Sequence, residues 1–172
     1  YRDHPYDALL DLYEPDMTVA QLDPFFDELR GEVVPLLAAI LKADRTDRER
    51  PLKGRFDPEA KLAFSYQIAR DIGYDFRRGR LDTSTHPFTT NFSSDDVRIT
   101  TRVDDRNLSF SIMATIHEAG HAMYEQGIDK DLGSPIAGGV SLGVHESQSR
   151  LWENMVGRSR PFWKRHLRGL HR

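Results

Sequence analysis

Five consecutive residues, His117-Glu118-Ala119-Gly120-His121, carry the strongest chemical signal in the chain. On an α-helix, residues i and i+4 lie about 40° apart around the axis and one turn apart along it. Two imidazoles so placed grip one metal ion from the same side. Glu118 lies about 60° from His121 around the helix, on the adjoining edge, where its carboxylate reaches a water on that ion. This is the H-E-x-x-H arrangement of two ligands and a general base. Ile112, Met113 and Ile116 give the segment an apolar side, and Ala119 and Gly120 allow close packing. A buried helix with two histidines and a glutamate on one face also needs a reason, because unpaired buried ionisable groups are costly.

A catalytic ion of this kind takes a third protein ligand and keeps one position for water. The downstream acidic candidates are Glu125, Asp129, Asp131, Glu146 and Glu153. Glu125 is one turn beyond His121 on the same helix and suits a supporting role. Asp129 and Asp131 fall in a loop. Glu146 comes early on the next helix, after a glycine-rich reversal that would set the two helices antiparallel, and spacing alone favours it over Glu153. Glu146 has a competing reading as an i, i+4 surface partner of Arg150.

The elements that must position these groups are mostly helical. Asp7 to Tyr13 reads as a short helix stopped near Pro15. Thr18 and Gln21 form a capping-box pattern, followed by Leu22, Phe25, Phe26, Leu29, Val33, Leu36, Leu37 and Ile40 at spacings of three and four. Pro24 and Pro35 interrupt that stripe, which predicts a kink or break near Pro35. Ala43 to Phe56 reads as a charged loop. Asp57-Pro58 reads as an N-cap followed by proline, and the stripe from Leu62 runs toward Phe76 with a stop at Gly79. Between Thr83 and Val103 the texture becomes strand-like, and Val97 and Ile99 alternate with Arg98 and Thr100, predicting a hairpin or small sheet. Helical spacing returns from Leu108 to about Gln126. Gly127, Gly133, Pro135, Gly138, Gly139 and Gly143 mark a turn-rich link. A further helix spans about Val144 to Val156, and another starts at Pro161.

The 172 residues hold 24 Lys and Arg against 27 Asp and Glu, a formal charge of −3. That balance gives no support to nucleic acid or an anionic membrane as partner. Cysteine is absent, which excludes disulfides, thiolate metal sites and cysteine nucleophiles. The longest nearly unbroken apolar run, residues 33–41, is too short to span a bilayer. The chain starts at Tyr1 and stops at Arg172 inside a basic helical segment, so both ends read as cuts in a longer protein. Some apolar stripes would then face partners outside these residues.

Three further motifs accompany the metal helix. His145-Glu146-Ser147-Gln148 follows it. His86-Pro87-Phe88 and Asp96-Val97-Arg98-Ile99-Thr100 precede it, in that order. Together the four resemble the signatures of the M32 family of metallocarboxypeptidases, the thermostable carboxypeptidase Taq type: H-P-F, D-x-R-x-T, H-E-x-x-H and H-E-S-Q. The resemblance covers most of the chain. It implies a mainly α, helical zincin-type fold, similar to neurolysin and angiotensin-converting enzyme, with a small antiparallel β element near residues 88–103. Residues 1–172 would be one region, the N-terminal and central part of a larger catalytic domain, with metal-binding helices at about 108–126 and 144–156. It also implies a zinc-dependent, or cobalt-dependent, exopeptidase that removes single residues from free peptide C-termini with broad specificity, usually excluding proline. By motif His117, His121 and Glu146 would bind the metal and Glu118 would be the catalytic base. Family members are typically cytosolic homodimers.

Four more residues are candidates around that site. Arg98 is a groove contact or an Asp96 partner that fixes the hairpin. His86 lines the groove or shapes a turn. Tyr124, on the His117 side of its helix, reaches toward the ion or packs in the core. His145 orients Glu146 or packs. His4, His166 and His171 read as surface residues. The sequence departs from the family in one respect: the later motifs I-R-x-x-A-D and G-x-x-Q-D-x-H-W, thought to receive the substrate carboxylate and stabilise the transition state, do not occur in it. The alternatives are therefore a truncated, inactive metal-binding or dimerising fragment, or another H-E-x-x-H zinc peptidase.

Overall fold

The computed structural model describes residues 3–43, 52, 54–132 and 137–170. Most of the predicted 43–56 loop, Gly133, Pro135 and His171 lie outside them. The chain divides into two compact units, residues 1–48 and 49–172.

In the first unit a short helix, α1 (Asp7–Leu10), precedes a long one, α2 (Val19–Lys42). The buried Asp7 carboxylate accepts a hydrogen bond from the Val19 N–H (2.8 Å), satisfying one of the free donors at the start of α2. The capping pattern is present: Gln21 Oε1 accepts from both the N–H and the hydroxyl of Thr18. The break expected near Pro35 does not occur, and α2 runs through both prolines. Its apolar stripe, including Phe25, Leu29, Val33 and Leu37, is exposed.

The second unit is built around α4 (Leu108–Gln126), the helix that carries the H-E-x-x-H residues. Asn107 caps it, its side-chain oxygen accepting from the Ser109 and Phe110 N–H groups. The buried Lys61 ammonium donates to the carbonyls of Asp104 and Asn107 and so anchors the loop that enters α4. Lys61 comes from α3 (Pro58–Ile72), whose Asp57 cap and leading proline are as expected. This helix ends at Gly73 rather than Gly79. The reason is conformational: Gly73 takes φ 119°, the left-handed C-terminal geometry that glycine adopts without a Cβ penalty.

Three strands follow: β1 (Leu81–Thr83), β2 (Thr89–Ser93) and β3 (Asp96–Thr101), in the order β1-β3-β2. The hairpin β2–β3 is antiparallel as expected, pairing Thr90 with Arg98 and Asn91 with Val97. Of the hairpin and the small sheet expected, the sheet is present, and it extends beyond an antiparallel element because β1 joins the other side of β3 in parallel, Leu81 opposite Ile99. Val97 and Ile99 are buried and Arg98 is exposed, as the alternation predicts, but Thr100 is buried as well, its hydroxyl bonded to the Ser84 hydroxyl and the Phe88 N–H.

One apolar cluster joins α3, the sheet and α4 through Ala69, Tyr74, Leu81, Val97, Ile99, Ala119 and Ala122. A second packs Phe64 and Ile68 against Ile112, Ile116 and Phe162. Phe162 lies on α6 (Arg160–Leu170), the helix expected after Pro161. His166 is one turn beyond it and only 5% exposed, with Nδ1 3.6 Å from Asp71 Oδ2. The surface reading of His166 is thus wrong: it shares the buried i, i+4 face that α6 turns toward α3, whereas His4 is exposed. The remaining helix, α5 (Leu142–Arg150), starts two residues earlier than predicted, capped by Ser141, and continues as a π turn over Leu151–Val156.

Candidate metal centre

Helices α4 and α5 touch at Gly120. A Cβ placed there would lie 2.7 Å from the Ser149 Cα and 2.9 Å from the Gln148 carbonyl. This approach brings the first turns of α5 against the metal face of α4. His117, His121 and Glu146 each offer one ligand atom, and these atoms all lie within 4.8 Å of one another. Glu146 Oε2 is 3.3 Å from His121 Nε2 and 3.7 Å from His117 Nε2. Its other oxygen accepts from Arg150 Nε at 2.8 Å. Glu146 therefore does both things its position suggests, one with each oxygen. Burial works to raise its pKa, but the His117 imidazole and Arg150 outweigh it and hold the carboxyl below its ordinary value.

Each histidine is held at its other nitrogen. His117 Nδ1 lies 2.9 Å from Glu153 Oε2. Glu153, the second candidate for third ligand, sits behind the histidine and is itself fixed by Arg158 (2.7 Å). His121 Nδ1 lies 2.6 Å from His145 Nδ1, so one of the two carries the shared proton. Burial, then the neighbouring His145 and His117 imidazoles, lower the His121 pKa to about 4, which favours the neutral, lone-pair-bearing form a metal requires. Two imidazoles that turn Nε2 toward Glu146 and hold Nδ1 against Glu153 or His145, with the Glu146 carboxylate between them, fit a divalent transition-metal ion.

Glu118 is 7% exposed and faces the sheet side of the site. Its Oε2 lies 2.7 Å from the Thr89 hydroxyl of β2. Burial raises its pKa, with the Thr89 hydrogen bond and the His117 imidazole opposing. Beside His117 and Glu118 opens a cavity of about 880 Å³ whose walls include His86, Phe110, Met113, Arg158 and Trp163. His86 also contacts its neighbour's carbonyl, Nδ1 to Pro87 O at 2.6 Å.

The other candidates lie as follows. Arg98 makes a two-pronged ion pair with Asp96 (2.8 and 2.7 Å) and covers the Phe92 ring at 5.0 Å. The Tyr124 hydroxyl accepts from the Val140 N–H (3.2 Å), and its ring meets His145 edge-on. His145 joins His121 and Glu125, the latter at 2.7 Å from Nε2. Thr89 and Asn91 were not singled out from sequence. Their only signal is the alternation of β2, which is blurred in a stretch so rich in threonine and serine.

The fold and this donor set define a helical metallopeptidase centre. The chain belongs to the Carboxypeptidase Taq (M32) metallopeptidase family, whose sequence model matches residues 1–172. It is 44% identical over 164 residues to Carboxypeptidase 1 of Bacillus subtilis (strain 168), covering 95% of this chain and 33% of that protein. Against Thermostable carboxypeptidase 1 of Pyrococcus furiosus the identity is 46% over 165 residues, covering 94% and 33%. The crystal structure of the M32 carboxypeptidase from Deinococcus radiodurans R1 superposes with a TM-score of 0.87 at 49% identity, covering 97% of this chain and 34% of that one. The chain thus spans about a third of the length of the curated relatives it matches. Among the described residues no helix is long and apolar enough to cross a membrane.

Proposed function

We propose that the chain carries the metal centre of a zinc-dependent carboxypeptidase, with His117, His121 and Glu146 as ligands and Glu118 as general base. The convergence of two Nε2 atoms and a carboxylate oxygen beside the buried Glu118 carries this reading. Cobalt is an alternative ion. When bound, such an ion supplies a Lewis acid that polarises a carbonyl and makes water a better nucleophile. Glu118 takes the proton of the attacking water and passes it to the leaving amine. Its raised pKa suits that exchange, and Thr89 orients the carboxylate. His86 and the cavity beside His117 line the path of the peptide.

The family resemblance adds free C-terminal peptides as substrates, broad specificity with proline excluded, a cytosolic location and a homodimer. It also assigns recognition of the substrate carboxylate to two motifs that do not occur in these residues. A fragment that binds metal without turnover is therefore the second reading. A panel of peptides with free or amidated C-termini tests the first, using the chain together with the segment that carries those motifs. Release of single residues from free C-termini alone is expected. Cleavage of the amidated peptides would overturn the carboxypeptidase reading. Zinc bound by the 172-residue chain without turnover, with activity restored by that segment, would select the fragment reading for the chain alone.

A further inference from the structure

Behind His121 a hydrogen-bonded relay runs away from the metal face and across to the sheet. His121 Nδ1 meets His145 Nδ1 at 2.6 Å, His145 Nε2 meets Glu125 Oε1 at 2.7 Å, and Asn91 Nδ2 donates to Glu125 Oε2 at 2.8 Å. Four residues from three elements, α4, α5 and β2, thus form one line. Glu125 is 6% exposed, and among the described residues no lysine or arginine forms an ion pair with it. A buried carboxylate without a countercharge is expensive, so its partners call for a reason. The Gly139 backbone packs over the relay so closely that a Cβ there would sit 3.0 Å from His145 Cδ2 and 3.4 Å from Glu125 Oε1.

We infer that Glu125 and Asn91 are positioning residues for the metal centre, acting through His145 to fix the proton of His121 on Nδ1 and so leave Nε2 free for the ion. The inference rests on the metal reading above. Its logic is directional. Glu125, as a carboxylate, only accepts hydrogen bonds, so His145 must place a proton on Nε2. Neutral His145 then offers Nδ1 as an acceptor, and His121 must donate from its own Nδ1. With the single His145 proton on Nε2, the last step is the one a metal ligand needs. Asn91 donates to the far oxygen of Glu125 and fixes the start of the line.

The test is zinc affinity by chelator competition, with the imidazole nitrogens of the zinc-bound protein followed by NMR. In the unsubstituted chain His121 is expected to carry its proton on Nδ1. Glu125→Ala is expected to weaken zinc about 10- to 100-fold, the usual effect of losing such a supporting partner. Glu125→Gln keeps an acceptor for His145 Nε2–H and should recover most of that loss. Asn91→Ala, on an exposed strand position, should fold normally and weaken zinc severalfold. Unchanged zinc affinity in Glu125→Ala and Asn91→Ala, with only the melting temperature lowered, would overturn the relay while leaving the metal reading intact. Failure of the unsubstituted chain to bind zinc would overturn both.

Discussion

Gly120 on α4 faces the Ser149 backbone on α5 with no room for a methyl group between them. Gly120 thereby sets the distance between the two histidines on one helix and the glutamate on the other. Gly120→Ala is expected to cost about 1–3 kcal/mol through overpacking. It should also weaken zinc binding, because α5 must move and Glu146 with it. Gly138, with nothing within 4 Å of the corresponding position, is the control. Gly138→Ala should stay within about 0.5 kcal/mol of the parent. Urea unfolding and zinc titration of both variants check this.

Thr89 supplies the hydroxyl that contacts the Glu118 carboxylate. Thr89→Val preserves shape and removes that hydrogen bond. Turnover at saturating peptide is expected to fall about tenfold, equivalent to about 1.4 kcal/mol of barrier, with zinc affinity unchanged. Equal loss of zinc binding would show that Thr89 supports the ligands rather than the base.

Lys61 ties α3 to the loop that starts α4 by donating to two backbone carbonyls. Burial lowers its pKa, with the charges of Asp104 and Asp105 opposing. Lys61→Met keeps the stem and leaves both carbonyls without that donor, for a loss of about 1–3 kcal/mol. Thermal unfolding measures it. An unchanged melting temperature would mean that water replaces the ammonium freely.

Tyr74 is buried, and its hydroxyl lies 2.6 Å from the Val97 carbonyl and 3.2 Å from that of Arg80. Burial, reinforced by the nearby Tyr66, pushes its pKa well above the ordinary phenol value. A group whose folded pKa is raised stabilises below its unfolded pKa, near 10 for tyrosine, and that contribution is lost as pH rises further. Tyr74→Phe should therefore be less stable than the parent at pH 7, by about 1–3 kcal/mol. The gap should narrow above pH 10. A gap that stays constant from pH 7 to 11 in urea unfolding would contradict the assignment.

The fold was legible where periodicity is long. The nineteen residues of α4 repeat their apolar side often enough to fix the helix and to put His117 and His121 on one face. The three residues of β1 are too few to show any period, so their parallel pairing with β3 was invisible. At the end of α3 the apolar stripe continues past Gly73, and only the left-handed backbone there shows that the helix has stopped. Glu146, the proposed third ligand, is favoured by spacing and chosen by resemblance. The groups behind the histidines were harder to read. Glu153 reaches His117, and His145 reaches His121, only because α5 crosses α4 at a particular distance and continues into a π turn. His145 reads in the sequence as a group that orients Glu146 or packs, whereas its ring bridges His121 and Glu125. Such contacts depend on how two helices meet, which no local pattern encodes.

The central claim is that His117, His121 and Glu146 hold one divalent ion while Glu118 stands apart as the base. The direct measurement is zinc stoichiometry and affinity for the chain and for His121→Ala, Glu146→Gln and Glu118→Gln. One equivalent should bind to the chain and to Glu118→Gln with similar affinity, and His121→Ala and Glu146→Gln should lose it. Zinc retained by Glu146→Gln, or lost by Glu118→Gln, would contradict the account.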